Sequence, residues 1–158
     1  MAFTIRRART NAGDSESGAL TALAFAAKRL WKYSDEQMET WRDELRISDS
    51  MLAMQPAFVC ELDGSVAGFY VLTPSSHGWS LDHLWVLPEL GGRGVGRALL
   101  MHARATAAAN HATVIHIDAD PNAEPFYVHC GARRVGSLRA PIAGQPHRIR
   151  PQLILPVA

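Results

Sequence analysis

The residues best suited to chemistry lie between Leu81 and Leu100, in the run Leu-Asp-His-Leu-Trp-Val-Leu-Pro-Glu-Leu-Gly-Gly-Arg-Gly-Val-Gly-Arg-Ala-Leu-Leu. An apolar strand stops at Pro88, a glycine-rich turn follows, and a helix begins near Val95. A helix N-terminus carries backbone N–H groups without intrahelical acceptors and the positive end of the helix dipole. Glycines let an anion approach that backbone closely, so the segment from Gly92 through Arg93, Gly94, Val95 and Gly96 to Arg97 suits a phosphate or diphosphate. A purely structural turn is the competing reading. The spacing excludes two familiar phosphate sites. There is no Gly-Lys-Ser/Thr triplet, as a P-loop requires, and G-x-G-x-x-G fails because Arg97 and Leu99 stand where its last glycine would be. The preceding strand adds two titratable groups. Strict alternation puts Ser80, Asp82, Leu84 and Val86 on one face and His83 and Trp85 on the other.

The elements that must position these groups follow from hydrophobic period and turn signals. Phe3 to Arg7 reads as a strand and Thr10 to Gly13 as a loop. From Asp14, Leu20, Leu23, Ala24, Ala27, Leu30 and Trp31 fall at helical spacing. Ser34-Asp-Glu-Gln37 reads as a capping box opening a second helix, with Met38, Trp41 and Leu45 inward. Asp63-Gly64 joins two apolar runs between Ala57 and Leu72 as a hairpin. Pro74 to Gly78 reads as a turn, Trp79 to Leu87 as a strand, and Val95 to Ala109 as a helix with Asn110 as its stop. Thr113 to Ala119 is a buried strand and Pro121 to Glu124 a loop. A short helix through Phe126, Tyr127 and His129 ends at Gly131, and Arg134 to Leu138 and Ile149 to Val157 close the chain as strands. This order implies one α/β domain over residues 1–158, a mixed sheet with helices on both faces.

Bulk properties narrow the function. The 158 residues are 47% hydrophobic and 20% charged, the profile of an ordinary folded domain. A net charge of +1 argues against a dedicated nucleic-acid partner. No stretch approaches the roughly 20 apolar residues of a membrane span, and residues 1–9 do not read as a secretory leader. Two distant cysteines, Cys60 and Cys130, suggest reduced thiols in a cytoplasm; with His129 unpartnered, no metal site is expected. Residues 1–90 hold 8 Lys/Arg against 12 Asp/Glu, whereas residues 91–158 hold 8 Arg against 3 acids. A basic second half beside the glycine turn fits a small polyanion, although chance placement on solvated faces explains it equally well.

Gly-Gly-Arg-Gly-Val-Gly after Leu-Trp-Val-Leu-Pro-Glu resembles the acyl-CoA signature of the GNAT (GCN5-related N-acetyltransferase) superfamily, Gln/Arg-x-x-Gly-x-Gly/Ala. Gly94 and Gly96 match its two glycines; Gly91 stands at the usual Gln/Arg position and removes one side-chain contact. Downstream, Ala123-Glu-Pro-Phe-Tyr-Val-His-Cys-Gly-Ala132 resembles the family's Ala-x-x-Phe-Tyr-x-x-x-Gly-Phe segment, with Ala132 in place of the aromatic and Asp120 where many members have asparagine. The resemblance spans essentially the whole chain. It implies a GNAT fold: a mixed, mostly antiparallel central sheet of six to seven strands flanked by about four helices. It further implies acetyl-CoA as co-substrate, a primary amine on a small molecule or peptide as acceptor, and direct attack in a ternary complex; homodimers are common in the family.

In that scheme the N–H groups of residues 92–97 cradle the diphosphate. Backbone groups of Leu84, Val86 and Leu87 bind the pantetheine arm, and one N–H polarises the thioester carbonyl. Asn122 hydrogen-bonds the pantetheine. Tyr127 protonates the departing thiolate, and Asp82 faces the acceptor as general base or amine ligand. Each assignment has a bland counterpart: Tyr127 packed in a core, Asp82 paired with an arginine, His83 structural. Trp31, Tyr33 and Trp41 either shape the acceptor pocket or simply fill core. The long loop from Pro141 to Pro151 carries His147, Arg148 and Arg150, which read an anionic acceptor, meet a partner subunit, or are solvated. A catalytically silent acyl-CoA-binding module stays open as an alternative to the enzyme.

Overall fold

The structure is a computed structural model that describes residues 3–11, 13–76 and 78–158. Seven strands form one sheet: β1 (Phe3–Arg7), β2 (Ala57–Leu62), β3 (Ser65–Ser75), β4 (Gly78–Val86), β5 (Val114–Asp118), β6 (Arg133–Arg139) and β7 (Ile149–Pro156), in the order β1-β2-β3-β4-β5-β7-β6. Every neighbouring pair is antiparallel except β4 and β5. That parallel pair needs a crossover, and α5 (Val95–Ala109) supplies it. The other helices are α1 (Ser17–Arg29), α2 (Asp35–Thr40), α3 (Arg42–Leu45), α4 (Asp49–Met54) and α6 (Glu124–His129), with a 3-10 turn at Pro88–Leu90.

Strand alternation sorts the core into two layers. On β3, Tyr70 and Leu72 join the layer under α5, with Leu99, Leu100, Ala103 and Ala107. Phe69 and Val71 point the other way, into the layer with Leu20, Leu23 and Ala24 of α1 and Met38 of α2. Ala103 and Ala107 are buried where α5 packs on the sheet, and the start of the helix lies against the end of β4, with Gly96 beside Val86.

Several expectations change. The helix opened by Ser34 does begin with a side-chain cap, Ser34 Oγ accepting from Gln37 N at 3.1 Å. It does not reach Leu45 unbroken: Trp41 leaves helical geometry at φ −91°, ψ 5°, and α3 restarts after it. An unforeseen helix, α4, follows, capped by Ser48 Oγ on Met51 N at 3.1 Å. Leu30 and Trp31 lie beyond the end of α1. The turn expected at 74–78 is shorter, because Pro74 and Ser75 still pair with Trp79 and Gly78. Ala12 of the expected 10–13 loop and His77 of that turn lie outside the described residues, as do Met1 and Ala2.

Candidate active site

The glycine turn has the conformation its composition requires. Gly94 is the N-cap of α5 at φ +85°, a left-handed geometry that costs a residue with a Cβ roughly 1–2 kcal/mol. No side chain caps the helix and no acidic residue occupies its first turn. The first helical bond runs from Ala98 N to Gly94 O at 3.0 Å, so the N–H groups of Val95, Gly96 and Arg97 precede it without helical acceptors. Gly96 is needed for a second reason: a Cβ there would lie 3.3 Å from the Phe126 ring and 3.6 Å from Val86 Cγ2. The residues present therefore fit a diphosphate, with an exposed turn, uncapped donors and no competing carboxylate.

The turn leads into a groove. β4 and β5 pair only at Trp79↔Ile115 and Ser80↔His116. Beyond that point they diverge around a cavity of about 490 Å³, lined among others by Asp82, Leu84, Trp85, Ala119 and Tyr127. Backbone register decides which β4 groups face it. Leu87 N donates to Ala67 O of β3 at 2.9 Å. N–H direction alternates along a strand, so Leu84 and Val86 turn their backbone groups away from β3, toward the opened side. The Leu87 donor, grouped with them on sequence grounds, is already spent on the sheet.

Asp82 occupies an irregularity. Val71 pairs with His83 and Leu72 with Leu81, leaving Asp82 as the extra residue of a β-bulge. The bulge breaks the alternation expected from the sequence: Trp79 and Leu81 join Leu84 and Val86 in the α5 layer, while Trp85 and Leu87 pack in the opposite layer. Asp82 is exposed at the groove, where its carboxylate accepts a hydrogen bond from Thr73 Oγ1. His83 also lines the groove but is buried against Phe69. Burial lowers its pKa to about 4, so the ring is neutral near pH 7. Its Nδ1 accepts from Trp85 Nε1 at 3.1 Å, placing the ring proton on Nε2.

Tyr127, on α6, is buried at the groove wall with Phe126 edge-on at 5.3 Å. Burial, reinforced by Cys130 and Asp120, raises its phenol well above the ordinary value, and the group stays protonated. Asn122 is turned elsewhere. Its Nδ2 donates to Asp120 Oδ1 at 2.9 Å and Tyr33 Oη at 3.1 Å.

The Acetyltransferase (GNAT) family matches the chain over residues 20–132. The chain belongs to this family. Its class is therefore that of acetyl-CoA-dependent N-acetyltransferases. Solved GNAT structures superpose over nearly the full length. PaiA N-acetyltransferase from Thermoplasma acidophilum, in complex with coenzyme A, aligns over 99% of both chains at TM-score 0.78 and 16% identity. The ribosomal-protein-S18-alanine N-acetyltransferase from Escherichia coli covers 99% of this chain and 95% of its own at TM-score 0.67 and 17% identity. Aminoglycoside 6'-acetyltransferase type Ii covers 98% and 97% at TM-score 0.69 and 20% identity. At these identities the likeness establishes the fold. No curated protein sequence matches significantly.

One cluster in this GNAT domain was not assembled from the sequence. Asp120, two residues beyond β5, has a side chain only 5% exposed. Its Oδ2 receives Tyr33 Oη at 2.8 Å, Arg148 Nη2 at 3.3 Å and Lys28 Nζ at 3.5 Å. Its Oδ1 receives Asn122 N at 2.8 Å as well as Asn122 Nδ2. Lys28 lies 4.0 Å over the Trp41 ring, and Arg148 5.2 Å from it. Burial pushes the Lys28 ammonium below its ordinary value, against the opposing pull of Asp120. Lys28 reads in sequence as an ordinary basic residue in a helix's last turn. Among the described residues no group of three or more His, Cys, Asp or Glu is arranged to hold a metal, and no helix is long and apolar enough to cross a membrane.

Proposed function

We propose that this chain transfers the acetyl group of acetyl-CoA to a primary amine, with thioester and amine held together in the groove between β4 and β5. The observation that carries this reading is the parting of these parallel strands after Ser80 and His116, with uncapped α5 donors at one end and a protonated tyrosine in the wall. Bound acetyl-CoA supplies an activated acyl group. The N–H groups of Gly92 to Arg97 hold its diphosphate. Backbone groups of Leu84 and Val86 orient the arm beneath, and one N–H there polarises the carbonyl oxygen under attack. Asp82 takes the proton lost by the amine, directly or through water, and Tyr127 gives its hydroxyl proton to the sulfur leaving as thiolate. Asn122 is held against Asp120 and Tyr33 through Nδ2. Cys60 and Cys130, both buried free thiols, suit a reducing, cytoplasmic setting.

The test is free-thiol release from acetyl-CoA with a panel of primary amines, beside a calorimetric titration with coenzyme A. Thiol release that depends on added amine supports transfer. Coenzyme A binding with no amine consumed identifies a silent acyl-CoA-binding module, and no binding at all defeats the whole scheme.

A further inference from the structure

We propose that the acceptor carries a carboxylate, bound by Lys28 and Arg148, so that the substrate is a small amino acid-like amine. This rests on the transfer reading above and names its substrate class. Beside the groove lies a second cavity of about 300 Å³, bounded by Thr40, Trp41, Glu44, Ile142, Lys28 and Arg148. Lys28 and Arg148 also line the groove that holds Tyr127, so one small molecule can touch both spaces. A cavity of this size is at the lower end of ordinary small-molecule sites.

The charges within are unbalanced. Side chains of Arg148 and Lys28 are only 4% and 14% exposed and share the buried carboxylate of Asp120, with Glu44 adding a second negative charge near Lys28. That carboxylate is saturated, because Tyr33 and Asn122 also donate to it. Nη1 of Arg148 donates to Ala140 O at 3.1 Å and Nη2 to Tyr33 Oη at 3.1 Å, while Nε is buried with no hydrogen-bond partner among the described residues. Nearby Arg150 is already paired with Asp118 at 3.1 Å, and Glu44 is exposed on the rim. Buried cations normally acquire anionic partners, since an uncompensated charge away from water is costly. Tyr33 and Trp41 present ring faces to these cations, which lower the local polarity without neutralising them. A carboxylate is the charge complement of a guanidinium and an ammonium set side by side.

The experiment compares each of a set of amino acids with its carboxamide and its decarboxylated amine, reading kcat/KM by thiol release and, independently of turnover, affinity by calorimetry on the coenzyme A-loaded protein. At least one amino acid is expected to exceed its carboxamide by tenfold or more, mainly through KM. Arg148→Gln and, as a second variant of different fold risk, Lys28→Met are each expected to reduce that preference toward unity, with coenzyme A affinity retained. Equal use of acid and amide, a preference that survives both variants, or stronger use of a phosphate-bearing amine overturns the proposal. Calorimetric binding of amino acids without thiol release keeps the carboxylate site and defeats acetyl transfer; thiol release with no carboxylate preference does the reverse.

Discussion

In the proposed reaction two groove residues, Asp82 and Tyr127, divide the proton traffic. Tyr127 is held protonated by burial, which suits the proposed role of proton donor and not that of a base. Tyr127→Phe is expected to lower kcat by roughly 10²–10⁴-fold while coenzyme A affinity, measured by calorimetry, stays within about twofold. Asp82→Asn should cost a similar factor in kcat; a change under about twofold would reduce Asp82 to a partner of Thr73. His83 makes a different prediction, about stability. Its folded pKa of about 4 lies below the ordinary 6.5, so the unfolded chain binds a proton that the folded chain refuses. The contribution of the neutral ring is complete above pH 6.5 and is lost as pH falls toward 4. At 1.36 kcal/mol per unit the loss is about 3 kcal/mol. Denaturant midpoints between pH 7 and 4 should fall steeply for the wild type and less so for His83→Gln, which keeps an acceptor for Trp85. Equal slopes would place the acid sensitivity in other groups.

At the scale of elements, the strand-turn-helix unit from β4 to α5 is the proposed diphosphate site, and it depends on backbone conformation. Gly94→Ala puts a Cβ at φ +85°, where strain of roughly 1–3 kcal/mol must be absorbed by the turn or by the helix start. Coenzyme A affinity in a titration should fall about tenfold or more, with the far-ultraviolet spectrum unchanged. The elements themselves were largely readable. α5 was legible from its apolar period, the β2–β3 hairpin from Asp63-Gly64, and β7 from its apolar alternation. The breaks were not. Trp41 interrupts a helix with no glycine or proline to announce it, and its ring meets Tyr33 edge-on at 4.7 Å, a contact made with a residue outside the helix. The bulge at Asp82 is equally silent, since it is a mismatch of register with β3 that no property of β4 alone reveals.

Over the whole molecule, Asp120 ties together regions remote in the chain: the end of α1 through Lys28, the following turn through Tyr33, and the loop before β7 through Arg148. Asp120→Asn leaves two buried cations without their shared carboxylate. Breaking a buried ion pair by removing one partner typically costs about 3–5 kcal/mol, and denaturant unfolding of this variant should show a loss of that size. A loss below about 1 kcal/mol would mean that solvent, and not Asp120, compensates Lys28 and Arg148.

Local physics was settled by composition and order alone. Apolar runs defined buried strands, a 3.6-residue period defined α5, and glycines at 92, 94 and 96 defined a turn that leaves helix donors bare; each depends on residues within one or two turns of each other. Long-range geometry was decided only by folding. Where β4 parts from β5, how the bulge turns Asp82 outward, and which cations gather on Asp120 all depend on partners dozens of residues away. Their proximity is set by how the two core layers close on the sheet, a condition that no local window of sequence contains.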